Sequence, residues 1–162
     1  MNNYLIKDVY RNDYEHCAKV IRQGFASLAR NLNITKSNFP ESSAFTTTDR
    51  LVHASEQGNL MYSIYDNSKI VGFIELEKNN DQKYNLKKHT VLFEKRHSGY
   101  GKALLDFAKN KVKELGGKKL IVNVIENNDI LKDWYKANGF DYTGKHTKHN
   151  APFEIGVMES SL

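Results

Sequence analysis

Cysteine occurs once in the 162-residue chain, at Cys17, which excludes an intrachain disulfide and any cysteine-based metal cluster. Placed among the apolar positions of a helix, it reads as a small hydrophobe rather than a nucleophile. No apolar run approaches the roughly 18 residues that a membrane span needs, so neither a transmembrane helix nor a membrane partner is expected. The opening residues, MNNYLIKDVYRND, lack a basic segment followed by an apolar one, and a cytoplasmic location is the expectation. Arginine is scarce and scattered, at 11, 22, 30, 50 and 96. Nucleic-acid modules cluster arginine and aromatics on one face. The net charge of +5 therefore predicts no nucleic-acid partner and suits small phosphorylated ligands equally well. Repeats, low-complexity tracts and linkers are missing too, so residues 1–162 read as one domain, long enough for a sizeable core.

What is present is periodicity. Tyr4 to Val9 reads as a short strand with Leu5 alternating against charged neighbours. Asn12 or Asp13 starts a helix whose apolar positions Cys17, Val20, Ile21 and Phe25 follow a period near 3.6. From Ser27 to Thr48 the pattern dissolves, and Asp49 to Gln57 reads as a short second helix ending at Gly58. NLMYSIYD and KIVGFIELEK are β-rich runs joined by Asn67-Ser68, a tight turn. The polar loop NNDQK then leads into a run from Tyr84 to Phe93. Residues 99–115 form the clearest helix, with Leu104, Phe107, Ala108, Val112 and Leu115 on one stripe and Gly116-Gly117 as its stop. KLIVNVI (119–125) is nearly continuous in apolar residues, as a strand buried on both faces would be. Asn127 or Asn128 starts another helix reaching Ala137, with Ile130, Leu131, Trp134 and Ala137 as its core stripe and Tyr135 bordering it. Two last strands cover Phe140–Lys145 and Phe153–Glu159. The order βααβββαβαββ, with a helical crossover between strands in its second half, predicts an α/β (α+β) domain on one mixed sheet.

The stretch EKRHSGYGKALL (94–105) sits between a strand and a helix. Such a junction binds anions, because first-turn N–H groups lack intrahelical partners and the helix dipole favours negative charge there. Gly99 and Gly101 let a phosphate approach the backbone, and Arg96 and Lys102 stand at either end. The dinucleotide fingerprint GxGxxG fails, since Leu104 holds its third position. The P-loop pattern GxxxxGK[ST] fails at both ends, with Arg96 for its first glycine and Ala103 for the hydroxyl that would hold Mg²⁺. Nucleotide hydrolysis is thereby disfavoured.

RHSGYG (96–101) does match R/Q-x-x-G-x-G/A, directly after the strand end TVLF, and so resembles the acetyl-CoA loop of the Gcn5-related N-acetyltransferase (GNAT) superfamily. A distant stretch, NDILKDWYKANGF (128–140), resembles the same superfamily's N-x-x-A-x-x-x-Y-x-x-x-G-F helix, with Leu131 where alanine is usual. His97 stands where the family often has glycine, and Phe93 where proline is common. The resemblance covers essentially the whole chain. It implies a single GNAT-like domain with a central, mixed, mostly antiparallel twisted sheet and one splayed strand pair.

It also implies a chemistry. Acetyl-CoA would be the co-substrate, its pantetheine arm lying in the splayed gap against backbone groups of Val91 and Leu92, with Asn128 facing it. The loop Arg96, His97, Ser98, Gly99, Tyr100, Gly101 and Lys102 would hold the pyrophosphate. Tyr135 would be the general acid that protonates the departing thiolate, and a backbone N–H would polarise the acetyl oxygen. The acceptor would be a primary amine of a small molecule or peptide. Its expected walls are the 26–48 connection, the 78–83 loop and the basic hairpin TGKHTKHNAP. No residue stands out as the general base: Asn85 and Lys87 are poor candidates, and His89, Glu75 and Glu77 stay open. His146 and His149 have HxxH spacing but no carboxylate or cysteine support, so no metal is expected. A CoA-binding sensor without turnover is the alternative activity, and the resemblance allows a homodimer paired through the sheet edge or terminal strands, as occurs in this family.

Overall fold

The computed structural model describes residues 3–162. Seven strands and four helices follow the predicted order: β1 Tyr4–Asp8, α1 Tyr14–Asn31, α2 Thr48–Glu56, β2 Leu60–Asp66, β3 Lys69–Lys78, β4 Lys83–Val91, α3 Tyr100–Glu114, β5 Lys119–Ile125, α4 Asp129–Ala137, β6 Asp141–Thr147 and β7 Glu154–Ser161. They build one sheet ordered β1-β2-β3-β4-β5-β7-β6. Every pairing is antiparallel except β4 with β5, where α3 carries the chain back so that two neighbouring strands run the same way. No helix among the described residues is long and apolar enough to cross a membrane.

The two faces of the sheet bury different sequences. On one, Cys17, Val20 and Ile21 of α1 and Leu51 of α2 pack against Met61, Ile70 and Phe73. On the other, Leu104, Leu105, Ala108 and Val112 of α3 pack against Ile64, Ile74, Leu76, Leu120 and Met158. Each fully buried leucine contributes roughly 1.5–3 kcal/mol. Of the α3 stripe read from the sequence, Leu104, Ala108 and Val112 are buried and Phe107 half-buried, whereas Leu115, just past the helix end, is exposed and Leu105 is buried in addition. Helix α1 outruns its expected end at Ser27, because Ala29 still faces the core and Leu28 and Arg30 are good helix formers. In α4 the expected stripe is rotated. Tyr135 is its one buried residue, Leu131 and Trp134 flank it, and Ile130 is 86% exposed. The helix therefore buries its tyrosine rather than setting it at an edge.

Two local features shape the centre of the sheet. On β3 the step from Phe73 to Glu75 faces a step from Lys87 to Thr90 on β4, so β4 carries one extra residue, a β-bulge. Lys88 there adopts φ +52°, which costs a non-glycine residue about 1–2 kcal/mol. Its Nζ lies 2.9 Å from Oε1 of Glu75, a fully buried carboxylate that also accepts from Asn59 Nδ2 at 2.9 Å. Further along β4, α1 presses so closely that a Cβ on Gly24 would stand 1.9 Å from Thr90 Oγ1.

These contacts yield two stability predictions, both read by thermal or denaturant unfolding. Gly24→Ala forces α1 off β4 and should cost about 1–3 kcal/mol. Glu75→Ala strands the Lys88 ammonium in a largely dry position and should cost about 3–5 kcal/mol.

Candidate active site

The bulge changes which way β4 points. Tyr84 and Leu86 join the core on the α3 side, while Lys87 and Lys88 both reach carboxylates on the opposite side. With that one repeat, His89 and Val91 return to the α3/α4 side, and Thr90 meets Gly24 on the α1 side. Asn85 and Lys87, read as poor candidates for a base, line the same cleft as His89 but are bound to Glu77, at 2.9 Å and 3.2 Å.

Pairing between β4 and β5 stops at Leu86 and Val122. Beyond that point β5 stays on β7 as far as Ile125, and β4 stays on β3, so the two strands diverge. A cleft of about 900 Å³ opens between them, lined by Lys88 and His89, by Asn123 to Ile125, and by Asn128 and Tyr135 of α4. The Leu92 N–H is bound to Val71 O and its carbonyl to Lys95 N, both at 2.9 Å, so neither backbone group is free for a ligand. Strand groups alternate in direction, which turns the N–H of Val91 toward the open side. Val91 O already accepts from Arg96 Nε at 3.2 Å.

The glycine loop leads from this strand end into α3. A short 3-10 turn, Phe93–Lys95, precedes it. The N-cap of α3 is Gly99, at φ +91°, and it offers no side chain to the helix amides. Ala103 N–H bonds to Gly99 O at 3.0 Å; the amides before it are those a helix leaves without partners. His97 has φ +62° and is exposed, which gives the family's preference for glycine at this position a conformational reason. Ser98 is exposed, and Tyr100 is buried in the core beneath the loop. Lys102 extends outward to Asp106 at 2.7 Å. Arg96 points inward, its Nη2 donating to Gly24 O at 2.6 Å, so its side chain braces the loop against α1. At Gly101 a Cβ would meet nothing closer than 3.9 Å, and a methyl group fits there.

Asn128 caps α4, its Oδ1 accepting from Leu131 N at 3.2 Å, and leaves its amide NH₂ at the cleft. Tyr135 lies beneath it at 3% exposure, with Trp134 and Phe140 edge-on at 5.1 and 5.2 Å. Its hydroxyl is 2.9 Å from His89 Nδ1, and burial holds its pKa well above the usual tyrosine range. Periodicity alone missed the His89 contact, since it depends on the bulge.

Of the expected acceptor walls, the 26–48 connection and the last hairpin meet over the cleft. Phe39 and Phe153 stack edge-on at 5.3 Å, and Lys148 pairs with Glu41 at 2.8 Å, pulling that carboxylate below its ordinary range. Lys145 pairs with Glu154 at 3.3 Å, so the hairpin's basic character is partly neutralised. The 78–83 loop does not reach this cleft. Hydrogen bonding by Asn85 and the charge of Lys87 hold Glu77 below its ordinary pKa, making it a weak base. Among the described residues no group of three or more His, Cys, Asp or Glu is placed to hold a metal.

Solved structures share this fold. The solved structures include PaiA N-acetyltransferase from Thermoplasma acidophilum in complex with coenzyme A, at TM-score 0.81 and 20% identity over 99% of both chains. A GNAT family acetyltransferase from Staphylococcus aureus gives 0.76 and 20% over 99% of both. The ribosomal-protein-S18-alanine N-acetyltransferase of Escherichia coli gives 0.73 and 18%, over 98% of this chain and 94% of that one. At these identities the likeness is one of fold. No curated protein sequence matches. The model of the acetyltransferase (GNAT) family matches residues 26–140, and the chain belongs to that family.

Proposed function

We propose that this protein transfers the acetyl group of acetyl-CoA to a primary amine of a small molecule or peptide, by direct attack on the thioester with Tyr135 as general acid. The observation that carries the reading is the opening of a buried tyrosine hydroxyl onto the gap between diverging β4 and β5, at the foot of a glycine-capped helix. The coenzyme A complex of the PaiA structure and the alanine acceptor named for the Escherichia coli enzyme support the donor and the acceptor class.

In this reading the amides of residues 97–102 hold the pyrophosphate. The Val91 N–H polarises the acetyl oxygen, a donor fixed before charge develops there. Leu92 contributes through its side chain alone. Asn128 offers its amide to the pantetheine arm. Attack forms a C–N bond and breaks the C–S bond, the sulfur keeps the electron pair, and Tyr135 passes its proton to that sulfur. The acylated nitrogen then loses a proton, which restores the tyrosine through solvent. An ordinary thiol has a pKa near ~8.5 and tyrosine one near ~10, so the transfer is mildly uphill in water. Burial raises the tyrosine further, but it raises a thiol in the same cleft too. The gap between the two therefore stays bridgeable within a hydrogen bond. Glu75, Glu77 and Glu41 are each tied to lysines, so the amine is taken to lose its proton to water.

Three outcomes are expected. Coenzyme A and acetyl-CoA raise the melting temperature; no shift with either rejects the cofactor reading. Thiol release from acetyl-CoA accelerates with at least one member of a panel of aliphatic diamines, amino acids and short peptides; stabilisation without release indicates a binding module instead. Tyr135→Phe lowers kcat by about 10²–10⁴-fold with little change in acetyl-CoA affinity, and an unaltered rate rejects the tyrosine's role.

A further inference from the structure

His89 is the one titratable side chain in the cleft whose two ring nitrogens are both engaged and to which the chemistry above gives no role. Its Nε2 is 2.9 Å from the carbonyl oxygen of Gly101, and its Nδ1 is 2.9 Å from the hydroxyl of Tyr135. A carbonyl can only accept, so Nε2 carries the ring's proton. The neutral ring then has a single lone pair, on Nδ1, and the tyrosine O–H donates to it. Burial holds the imidazole's pKa down to about 4, which keeps the ring neutral at neutral pH, and the Gly101 carbonyl selects the tautomer. Trp134 lies against the ring, with centroids 5.7 Å apart, and limits its rotation.

We propose that His89 is the positioning residue of the reaction: it fixes the hydroxyl oxygen of Tyr135 at the mouth of the strand gap and ties it to Gly101 of the glycine loop. This rests on the general-acid reading of Tyr135. The choice of imidazole has a physical logic. A charged acceptor makes a hydrogen bond roughly twice as strong as a neutral one. A carboxylate at this place would hold the phenolic proton against a departing thiolate. A neutral imidazole holds it only until that thiolate forms. The O–H then turns about the Cζ–Oη bond while the oxygen stays where it was. His89 keeps its own proton throughout and is neither oxidised nor consumed. Through Gly101 the same ring couples the acid to the loop proposed to seat the pyrophosphate, so cofactor and proton donor share one frame.

The test compares wild type, His89→Leu, His89→Asn, Tyr135→Phe and the His89→Leu/Tyr135→Phe double variant. It measures thiol release from acetyl-CoA with the amine that reacts fastest in the panel. His89→Leu should lower kcat about 10- to 100-fold, within the span of a general acid's contribution, and leave KM for acetyl-CoA nearly unchanged. His89→Asn, whose side-chain oxygen can accept in place of Nδ1, should recover part of that loss. The double variant should be no slower than Tyr135→Phe alone. A double variant slowed by the product of both single effects overturns the proposal, because His89 then acts independently of the tyrosine. Full activity in His89→Leu beside a slow Tyr135→Phe also overturns it, yet leaves the tyrosine's role standing. An unaltered Tyr135→Phe removes that role and the proposal with it. One measurement needs no turnover and no folded His89 variant. Long-range ¹H–¹⁵N spectra of the free protein should show a neutral His89 protonated on Nε2, with an Nδ1 resonance that moves in Tyr135→Phe. A proton on Nδ1, or a resonance indifferent to that substitution, overturns it.

Discussion

Between Phe73 and Glu75 on β3, and Lys87 and Thr90 on β4, one residue has no partner across the ladder. Glu75 holds it there. This carboxylate is fully buried, and Lys88 answers it from a backbone conformation that a lysine adopts only at a cost. A buried ion pair is poor ground for claiming stability, since desolvation consumes most of its attraction. As a device for fixing geometry it is effective, because the bulged backbone is what brings Lys88 Nζ to 2.9 Å from Glu75. Without the extra residue His89 and Val91 would face α1, and Thr90 would take their place toward α4. The cleft, the histidine–tyrosine contact and the open Val91 amide all follow from that single change of parity.

The second constraint is the start of α3, where capping is given up. Serine or aspartate at the N-cap would satisfy amides there, and glycine gives up only a few tenths of a kcal/mol relative to them. In return the first-turn N–H groups stay available. Charge at the loop is handled with similar economy. Arg96, the motif's one arginine, braces the backbone against Gly24 and Val91, and Lys102 reaches away to Asp106. Backbone amides and the helix dipole are thus left as the main attraction for an anion. They need no long side chain to be ordered on binding.

How much of this was legible beforehand depended on range. Element order and the α3 stripe came from local periodicity, and the loop from R-x-x-G-x-G at a strand end, so all three were visible. Where long-range packing decided, the reading failed. Ile130 looked like core by spacing and is exposed, whereas Tyr135 looked peripheral and is buried, because α4 turns Tyr135 inward among His89, Trp134 and Phe140 and leaves Ile130 to solvent. Leu92 looked available and is held by Val71. The bulge itself leaves little trace in KYNLKKHTV. Only two successive lysines, both answering carboxylates on β3, hint that alternation breaks there.

That break also bears on why no carboxylate in or beside the cleft looks like a base. Each is within reach of a lysine, and Glu77 is held below its usual pKa. A lowered carboxylate takes a proton from an alkylammonium even less readily than a free one does. The same pairs, however, put alternating charges along the route by which an acceptor would enter between the 26–48 connection and the last hairpin. An ammonium group passing Glu41 or Glu77 meets a carboxylate already neutralised by Lys148 or Lys87, so it is neither trapped nor repelled. Selectivity among amines would then rest on the shape formed by Phe39 and Phe153 more than on charge. The residue that sets the rate would sit on the tyrosine side of the sheet, where the phenolic proton is shared with His89.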